Sequence, residues 1–253
     1  MEICFDCFSG ISGDMLVGAL LDIGASEKVL KESLESLHLD DYEISVSKFL
    51  KNGYEVTDFD VVLKEDNFDH DSEHLFGNKK FEKMKVERNI NDVFKILDES
   101  GLSEKAKELS KKIFSLIAFA EGKAHNLPEE KVIFHESGAM DSIIDIVSFA
   151  VCLDNLKVDK VYAKNLCEGQ GFINSRVGKL PIPVPAVKNI LEKYNLKTDT
   201  VSQNVELITP TGIACLTSVA EFKVSDKKVI KTGYGNGKRN YDLPCVLRVE
   251  VLN

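Results

Sequence analysis

The chain has no tryptophan and only four arginines, Arg88, Arg176, Arg239 and Arg248. Arginine is the side chain that grips phosphate in a two-pronged fashion, so few such clamps can be assembled. Basic charge is in deficit overall: 32 Lys plus Arg face 41 Asp plus Glu, a net charge of −9. A surface of that sign repels a nucleic-acid backbone. No apolar run reaches the ~20 residues of a membrane-spanning helix. The segment Met1-Glu-Ile-Cys4 carries no basic residue and reads as strand, not as signal peptide. The six cysteines (4, 7, 152, 167, 215, 245) are scattered through 253 residues, the usage of a reducing compartment. The expectation is a cytoplasmic protein with neither a nucleic-acid nor a membrane partner, and with enough apolar material for a core.

What is present interleaves strands and helices. Glu2 to Phe8 reads as a buried strand, Ser9 to Gly13 as a tight turn, and Asp14 to Ile23 as a buried helix. A second helix runs from Ser26 to about Leu37. Tyr42 to Leu50 and Tyr54 to Leu63 alternate around Asn52-Gly53, a hairpin pattern. Helices follow over Ile90 to Glu99, Ser103 to Asn126 and Met140 to Leu156, with a short strand expected at Lys131 to His135. Val158 to Asn165 and Val205 to Ile208 read as strands, Cys167 to Pro185 as a loop, and Pro185 to Tyr194 and Thr209 to Glu221 as helices. The end is β, Lys228 to Thr232 and Pro244 to Leu252, around a glycine turn over 233–237. The pattern predicts an α/β or α+β fold, a mixed sheet with packed helices in one domain over 1–253, with a helical segment over 88–130.

Three constellations carry chemistry. The turn Ser9 to Gly13, between a strand and a helix, offers backbone N–H groups to an anion, while Asp6 and Asp14 bring carboxylates to the same end. Ser9, Gly10, Ser12 and Gly13 are the candidate ligand-binding residues there, although Ser12 and Asp14 as simple helix caps fit equally well. Cys4 and Cys7 form a Cys-x-x-Cys, but positions three apart on a strand face opposite ways, which favours buried cysteines over a metal or redox pair. In the stretch Phe134-His-Glu-Ser-Gly-Ala-Met-Asp-Ser-Ile-Ile-Asp-Ile146, followed by Val147 and Ser148, the residues Asp141, Ser142, Asp145 and Ser148 share one face of a greasy helix. Buried carboxylates call for a cation, and His135 and Glu136 precede the helix. The alternative is a solvated polar stripe. Thr209 and Thr211, at the head of another helix, add a second N–H cluster. In the loop before Pro185, Glu168, Arg176 and Lys179 could grip an anionic small molecule, with a plain structural connection nearly as good a reading. The acidic segment with His70 and His74 reads as an exposed loop, a simply solvated charge run before a weak collector of metal.

Together these blocks resemble the nickel-insertion proteins of nickel-pincer cofactor biosynthesis (LarC). The matching stretches are Asp6-Cys-Phe-Ser-Gly-Ile-Ser-Gly-Asp-Met15, Phe134 to Ile146, Gly171-Phe172 with Leu180-Pro-Ile-Pro-Val-Pro-Ala186, and Glu206-Leu-Ile-Thr-Pro-Thr-Gly212. The resemblance implies insertion of Ni²⁺ into a pyridinium bisthiocarboxylate mononucleotide, in a lyase-type, CTP-dependent reaction. The product is the cofactor of lactate racemase-type enzymes, so a recipient apoenzyme is implied as partner. Asp6, Asp14, His135, Asp141 and Asp145 are the candidate metal ligands (Ni²⁺, or Mg²⁺ or Mn²⁺), and His135, Glu136 and Asp141 the candidate catalytic groups. The family is longer than this chain, and its CTP-linked part falls beyond Asn253. A separate carboxyl-terminal partner, or a longer product of the same gene, is therefore expected, docking on the last strand, Pro244 to Leu252, or on a neighbouring edge, and a homo-oligomer stays open. Two other readings use the same carboxylates: a Mg²⁺-dependent nucleotide phosphohydrolase and a non-catalytic nickel metallochaperone.

Overall fold

A computed structural model of the chain describes residues 1–40, 42–63, 88–134, 140–175, 178–239 and 241–253. Its centre is a seven-stranded mixed sheet in the order β2-β3-β10-β11-β1-β4-β9. The strands are β1 (Glu2–Asp6), β2 (Tyr42–Lys51), β3 (Tyr54–Leu63), β4 (Lys160–Lys164), β9 (Ala220–Phe222), β10 (Val229–Asn236) and β11 (Val246–Leu252). β1 is parallel to β4 and β4 to β9, while β11 runs antiparallel to both β1 and β10. β10 is parallel to β3, and β2 closes the edge as the antiparallel arm of a hairpin. The carboxyl ends of β1, β3, β4, β9 and β10 therefore lie along one edge of the sheet. Two small pairs complete the β structure: β5 (Cys167–Glu168) with β8 (Asp199–Thr200), and β6 (Phe172–Ser175) with β7 (Gly178–Pro181).

Seven α-helices occur among the described residues: α1 (Gly13–Asp22), α2 (Glu27–Glu35), α3 (Ile90–Glu99), α4 (Glu104–His125), α5 (Met140–Asn155), α6 (Pro185–Lys193) and α7 (Pro210–Val219). Their starts follow local chemistry. Ser26, Ser103 and Thr209 each accept a hydrogen bond from a first-turn backbone N–H, and Asn89 with Asp92 forms a reciprocal capping box. α1 lies against β3, β10 and β11, and α5 packs on α1. One apolar cluster joins Phe5, Leu16, Leu20, Phe59, Phe114, Ile144 and Phe149, so the 88–130 helices share the core of the sheet.

Several expectations shift in detail. Gly233 and Gly235 are strand residues in β10 and not a turn: a Cβ on Gly235 would overlap the carbonyl oxygen of Met15, so the missing side chain lets α1 rest on the sheet. Val205 to Ile208 makes only an isolated bridge, Ile208 with Ile11, and the strand expected at Lys131 to His135 reduces to a 3-10 turn (Glu129–Lys131) and a bridge from Ile133 to Asn89. Ala220 to Phe222 is strand, not the end of a helix. β11, expected to offer apolar surface to a partner, lies mid-sheet between β10 and β1, with Val246, Leu247 and Val249 buried. The segment with His70 and His74 lies outside the described residues, as do His135, Glu136 and Arg176.

Candidate functional site

The site grows from two strand-to-helix junctions that hold each other. β1 exits through Ser9 and Gly10, where Gly10 adopts a φ of +94°, a conformation glycine takes without strain. Ile11 donates its N–H to the carbonyl of Leu207 (2.9 Å), and Thr209 donates to that of Ile11 (3.0 Å). A Cβ on Gly10 would overlap the Leu207 carbonyl, and one on Gly212 would stand 2.7 Å from the Ile11 oxygen. The heads of α1 and α7 are thus brought together at the carboxyl edge of the sheet, where the positive ends of both helix dipoles gather. Of the six residues expected to bind a ligand, three are tied to the fold. The Ser9 hydroxyl accepts from the N–H of Cys245 (2.8 Å), Gly10 N–H donates to Cys7, and the Thr209 hydroxyl accepts from Gly212 (3.1 Å). Ser12 donates to Asp14, and Gly13 and Thr211 stand in the first turns of the two helices.

α5 delivers the carboxylates. Asp145 sits against Gly13: a Cβ there would stand 2.8 Å from the Asp145 Cβ. The close approach that glycine permits at this position is to an aspartate. Asp145 Oδ1 is buried and has no hydrogen-bond partner among the described residues. Burial raises the Asp145 pKa well above the usual carboxylate range, and the charges of Asp14 and Asp141 add to the rise while Lys238 opposes it. Asp141 Oδ1 accepts from the Ser142 N–H (2.8 Å). Asp14 Oδ1 accepts from Met15 N–H (2.9 Å), and its Oδ2 lies 3.8 Å from Lys238 Nζ. Lys238 also pairs with Asp60 at the end of β3. Burial works against the Lys238 ammonium, yet Asp14, Asp60 and Asp145 outweigh it and leave its pKa raised.

Asp14, Asp60, Asp141, Asp145 and Lys238 thus form one electrostatic group with more negative than positive charge. Among the described residues, no three His, Cys, Asp or Glu side chains stand close enough to enclose a metal ion. Asp6 belongs elsewhere. It accepts from Arg248 and from Asn165 Nδ2 (2.9 Å), and it lies 3.8 Å from Lys164. Cys4 shares that face with Tyr162 and Leu252, whereas Cys7 joins the helical core; both are free, buried thiols whose pKa burial raises.

The sequence pattern misses two participants and misplaces a third. Lys238 and Asp60 enter because β10 and β3 are parallel neighbours, a long-range fact. Glu168, expected to grip a ligand from a loop, is instead 1% exposed. Nearby, Arg239 donates to the Glu206 carboxylate (2.8 Å) and to its backbone oxygen (2.6 Å), fastening the segment after β10 to the α7 junction.

A family model described as nickel insertion protein matches residues 3–252. A pyridinium-3,5-bisthiocarboxylic acid mononucleotide nickel insertion protein of Acetivibrio thermocellus is 47% identical over 249 residues, which is 96% of this chain and 59% of the relative. The protein of the same description from Alkaliphilus metalliredigens is 43% identical over 254 residues, covering 99% of this chain and 60% of its own. A putative nickel insertion protein of Dictyoglomus thermophilum is 41% identical over 249 residues, 98% of this chain and 59% of that one. The chain spans about three fifths of the length of these curated relatives. No solved structure matches it.

Proposed function

The chain belongs to the nickel insertion protein family, and from that premise we propose that it brings Ni²⁺ and a pyridinium bisthiocarboxylate mononucleotide together for metal insertion. Both are substrates here. The observation that carries the site is the Asp145 carboxyl, packed on Gly13 at the head of α1 with a buried oxygen that no described residue satisfies. A buried carboxylate is costly unless it meets a cation, and a divalent ion offers the strongest compensation. In this reading Asp145 receives the nickel ion, the charges of Asp14 and Asp141 favour its approach, and Lys238 balances the remaining charge. The phosphate of the mononucleotide lies against the first turns of α1 and α7, at Ser12, Gly13 and Thr211, where two helix dipoles favour an anion.

Metal–carbon bond formation requires loss of a proton from the ring carbon. His135, Glu136 and Asp141 are the candidates to accept it, the first two directly ahead of α5 in the sequence. CTP, with its Mg²⁺ or Mn²⁺, and delivery to a racemase-type apoenzyme are assigned to the whole protein of the relatives' length. A cytoplasmic setting accords with six unpaired cysteines and with the finding that no helix among the described residues is long and apolar enough to cross a membrane. Among the described residues, no feature of its own favours the phosphohydrolase or the metallochaperone reading.

The test is calorimetric titration of the purified chain with Ni²⁺, comparing it with the Asp141→Ala/Asp145→Ala variant. The expected result is a loss of affinity of about tenfold or more, with an unchanged circular dichroism spectrum. Equal affinity in the two proteins would remove these carboxylates from the site.

A further inference from the structure

Glu168 in β5 is buried to 1% exposure, in a position with a clear mechanical consequence. Its Oε1 accepts from the N–H of Gly169 (2.8 Å) and from that of Leu207 (2.8 Å), residues far apart in sequence. Its Oε2 is buried and meets no hydrogen-bond partner among the described residues. Leu207 in turn offers its carbonyl to Ile11 N–H (2.9 Å), so one side chain ties β5 to the α7 junction, and through it to the turn ahead of α1. The backbone reinforces the seam, with Val201 N–H donating to the Glu168 carbonyl (2.9 Å) and Gln170 N–H to that of Gln203 (2.8 Å).

The chemistry of the group follows from its surroundings. One oxygen is satisfied by two amides, and the other is buried with no hydrogen bond from the described residues within normal geometry, the Ile208 amide acting on the group only electrostatically. An ionised carboxylate would leave charge on that buried second oxygen, whereas a protonated one leaves none. We propose that Glu168 is a positioning residue: as a neutral acid it latches the two helix-head junctions together, and on ionising it releases them. What this does to ligand binding rests on the function proposed above; the latch itself does not.

The electrostatics agree with the geometry. Burial raises the Glu168 pKa to about 7 from its ordinary 4.5, against the amides of Leu207, Gly169 and Ile208, which lower it, and with help from the charge of Glu206. The charged groups nearby are Glu206, with Arg239 bonded to it, and Asp199 of β8, whose charge acts on Cys167 beside Glu168. Once unlatched and solvated, the carboxyl returns to an ordinary value. The folded pKa is the higher one, so the latched state holds its full advantage below about pH 4.5. It loses about tenfold in the latching equilibrium per pH unit up to about 7 and changes little beyond.

The experiment is amide hydrogen exchange at Leu207 and Ile11 between pH 5 and pH 8, in the natural chain, in Glu168→Gln and in Glu168→Leu. After correction for intrinsic exchange, the opening equilibrium of the natural chain is expected to rise about seventyfold between pH 5 and pH 8, most of it below pH 7. Glu168→Gln keeps an acceptor oxygen and cannot ionise, so its opening should stay flat and, at pH 7.5, fall below that of the natural chain. Glu168→Leu should lose protection at every pH. If the leucine variant does not fold, the natural and glutamine proteins still decide. Equal pH dependence in those two overturns the latch. A parallel titration with nicotinic acid mononucleotide, a pyridinium mononucleotide, separates the two ideas. Protection that follows pH as stated while its affinity stays constant supports the latch and counts against the junction as the precursor site.

Discussion

Asp6 and Asp145 are both candidate metal ligands, yet the fold houses the two carboxylates in opposite ways. Asp6 is 1% exposed and lies in a closed network: Arg248, Asn165 and Lys164 surround it, and Glu250 draws Lys164 (2.6 Å) and Arg248 (3.4 Å) into the same lattice of charges. Every formal charge there has an opposite within reach, on adjacent strands in register. Asp145 has a buried oxygen that no described residue bonds, with three further aspartates (Asp14, Asp60 and Asp141) and one shared lysine nearby. The difference teaches that burial alone does not mark a functional carboxylate. What separates the two is that the fold gives Asp6 a full set of opposite charges and hydrogen bonds, whereas it leaves one Asp145 oxygen without a partner among the described residues.

The largest effect expected from breaking this contrast is on the compensated side. Arg248→Leu would leave Asp6 and Glu250 with only Lys164 and Asn165 between them. Removing one partner of a buried pair costs about 3 kcal/mol, the low end of the usual range because Arg248 is itself partly exposed. Urea denaturation measures it, and Ni²⁺ affinity should not change. A stable variant with lost nickel binding would reverse the roles given to the two aspartates.

Gly13→Ala is expected to have an intermediate effect. The new methyl would crowd the Cβ and carboxyl of Asp145, which must swing away or push α5 from α1. Overpacking of this kind costs about 1–3 kcal/mol. Because the displaced group is the proposed ligand, nickel affinity should fall along with stability, whereas Gly53→Ala, in a hairpin turn where nothing lies near, should lower stability alone. Thermal melts paired with calorimetry distinguish the two.

The contrast also shows which parts of the molecule are legible in the sequence. The hairpin at Asn52-Gly53 is, because both residues adopt the positive φ that their types favour and the alternation on either side is local. So are the helix starts at Ser26, Ser103 and Thr209, and the opposite faces of Cys4 and Cys7. Gly233 and Gly235 mislead because glycine signals a turn by itself, whereas here it makes room for a helix that belongs to residues 13–22. Asp14, Asp141 and Asp145 can be picked out from carboxylates at the head of one apolar helix and along the face of another. That Arg248 lies opposite Asp6, or that Lys238 reaches Asp60 and Asp14, depends on strand register across most of the chain, which no local pattern encodes.

The smallest and most specific effect concerns pH. The Asp145 pKa is raised, first by burial and then by Asp14 and Asp141, so the folded protein holds that proton more tightly than the unfolded chain does. Its contribution to stability is therefore fully present below the ordinary aspartate pKa near 4 and declines as pH rises through the folded value. Asp145→Asn has nothing to ionise and removes that decline. The two proteins should melt closer together at pH 5 than at pH 8, where the asparagine variant should be the more stable. Addition of Ni²⁺ at pH 8 should raise the melting temperature of the natural chain and leave that of Asp145→Asn nearly unmoved, because binding to the folded state alone is what stabilises it. An asparagine variant that is less stable than the natural chain at pH 8 would mean that the Asp145 carboxylate already has the compensation that Asp6 enjoys, and the distinction between the two aspartates would fall.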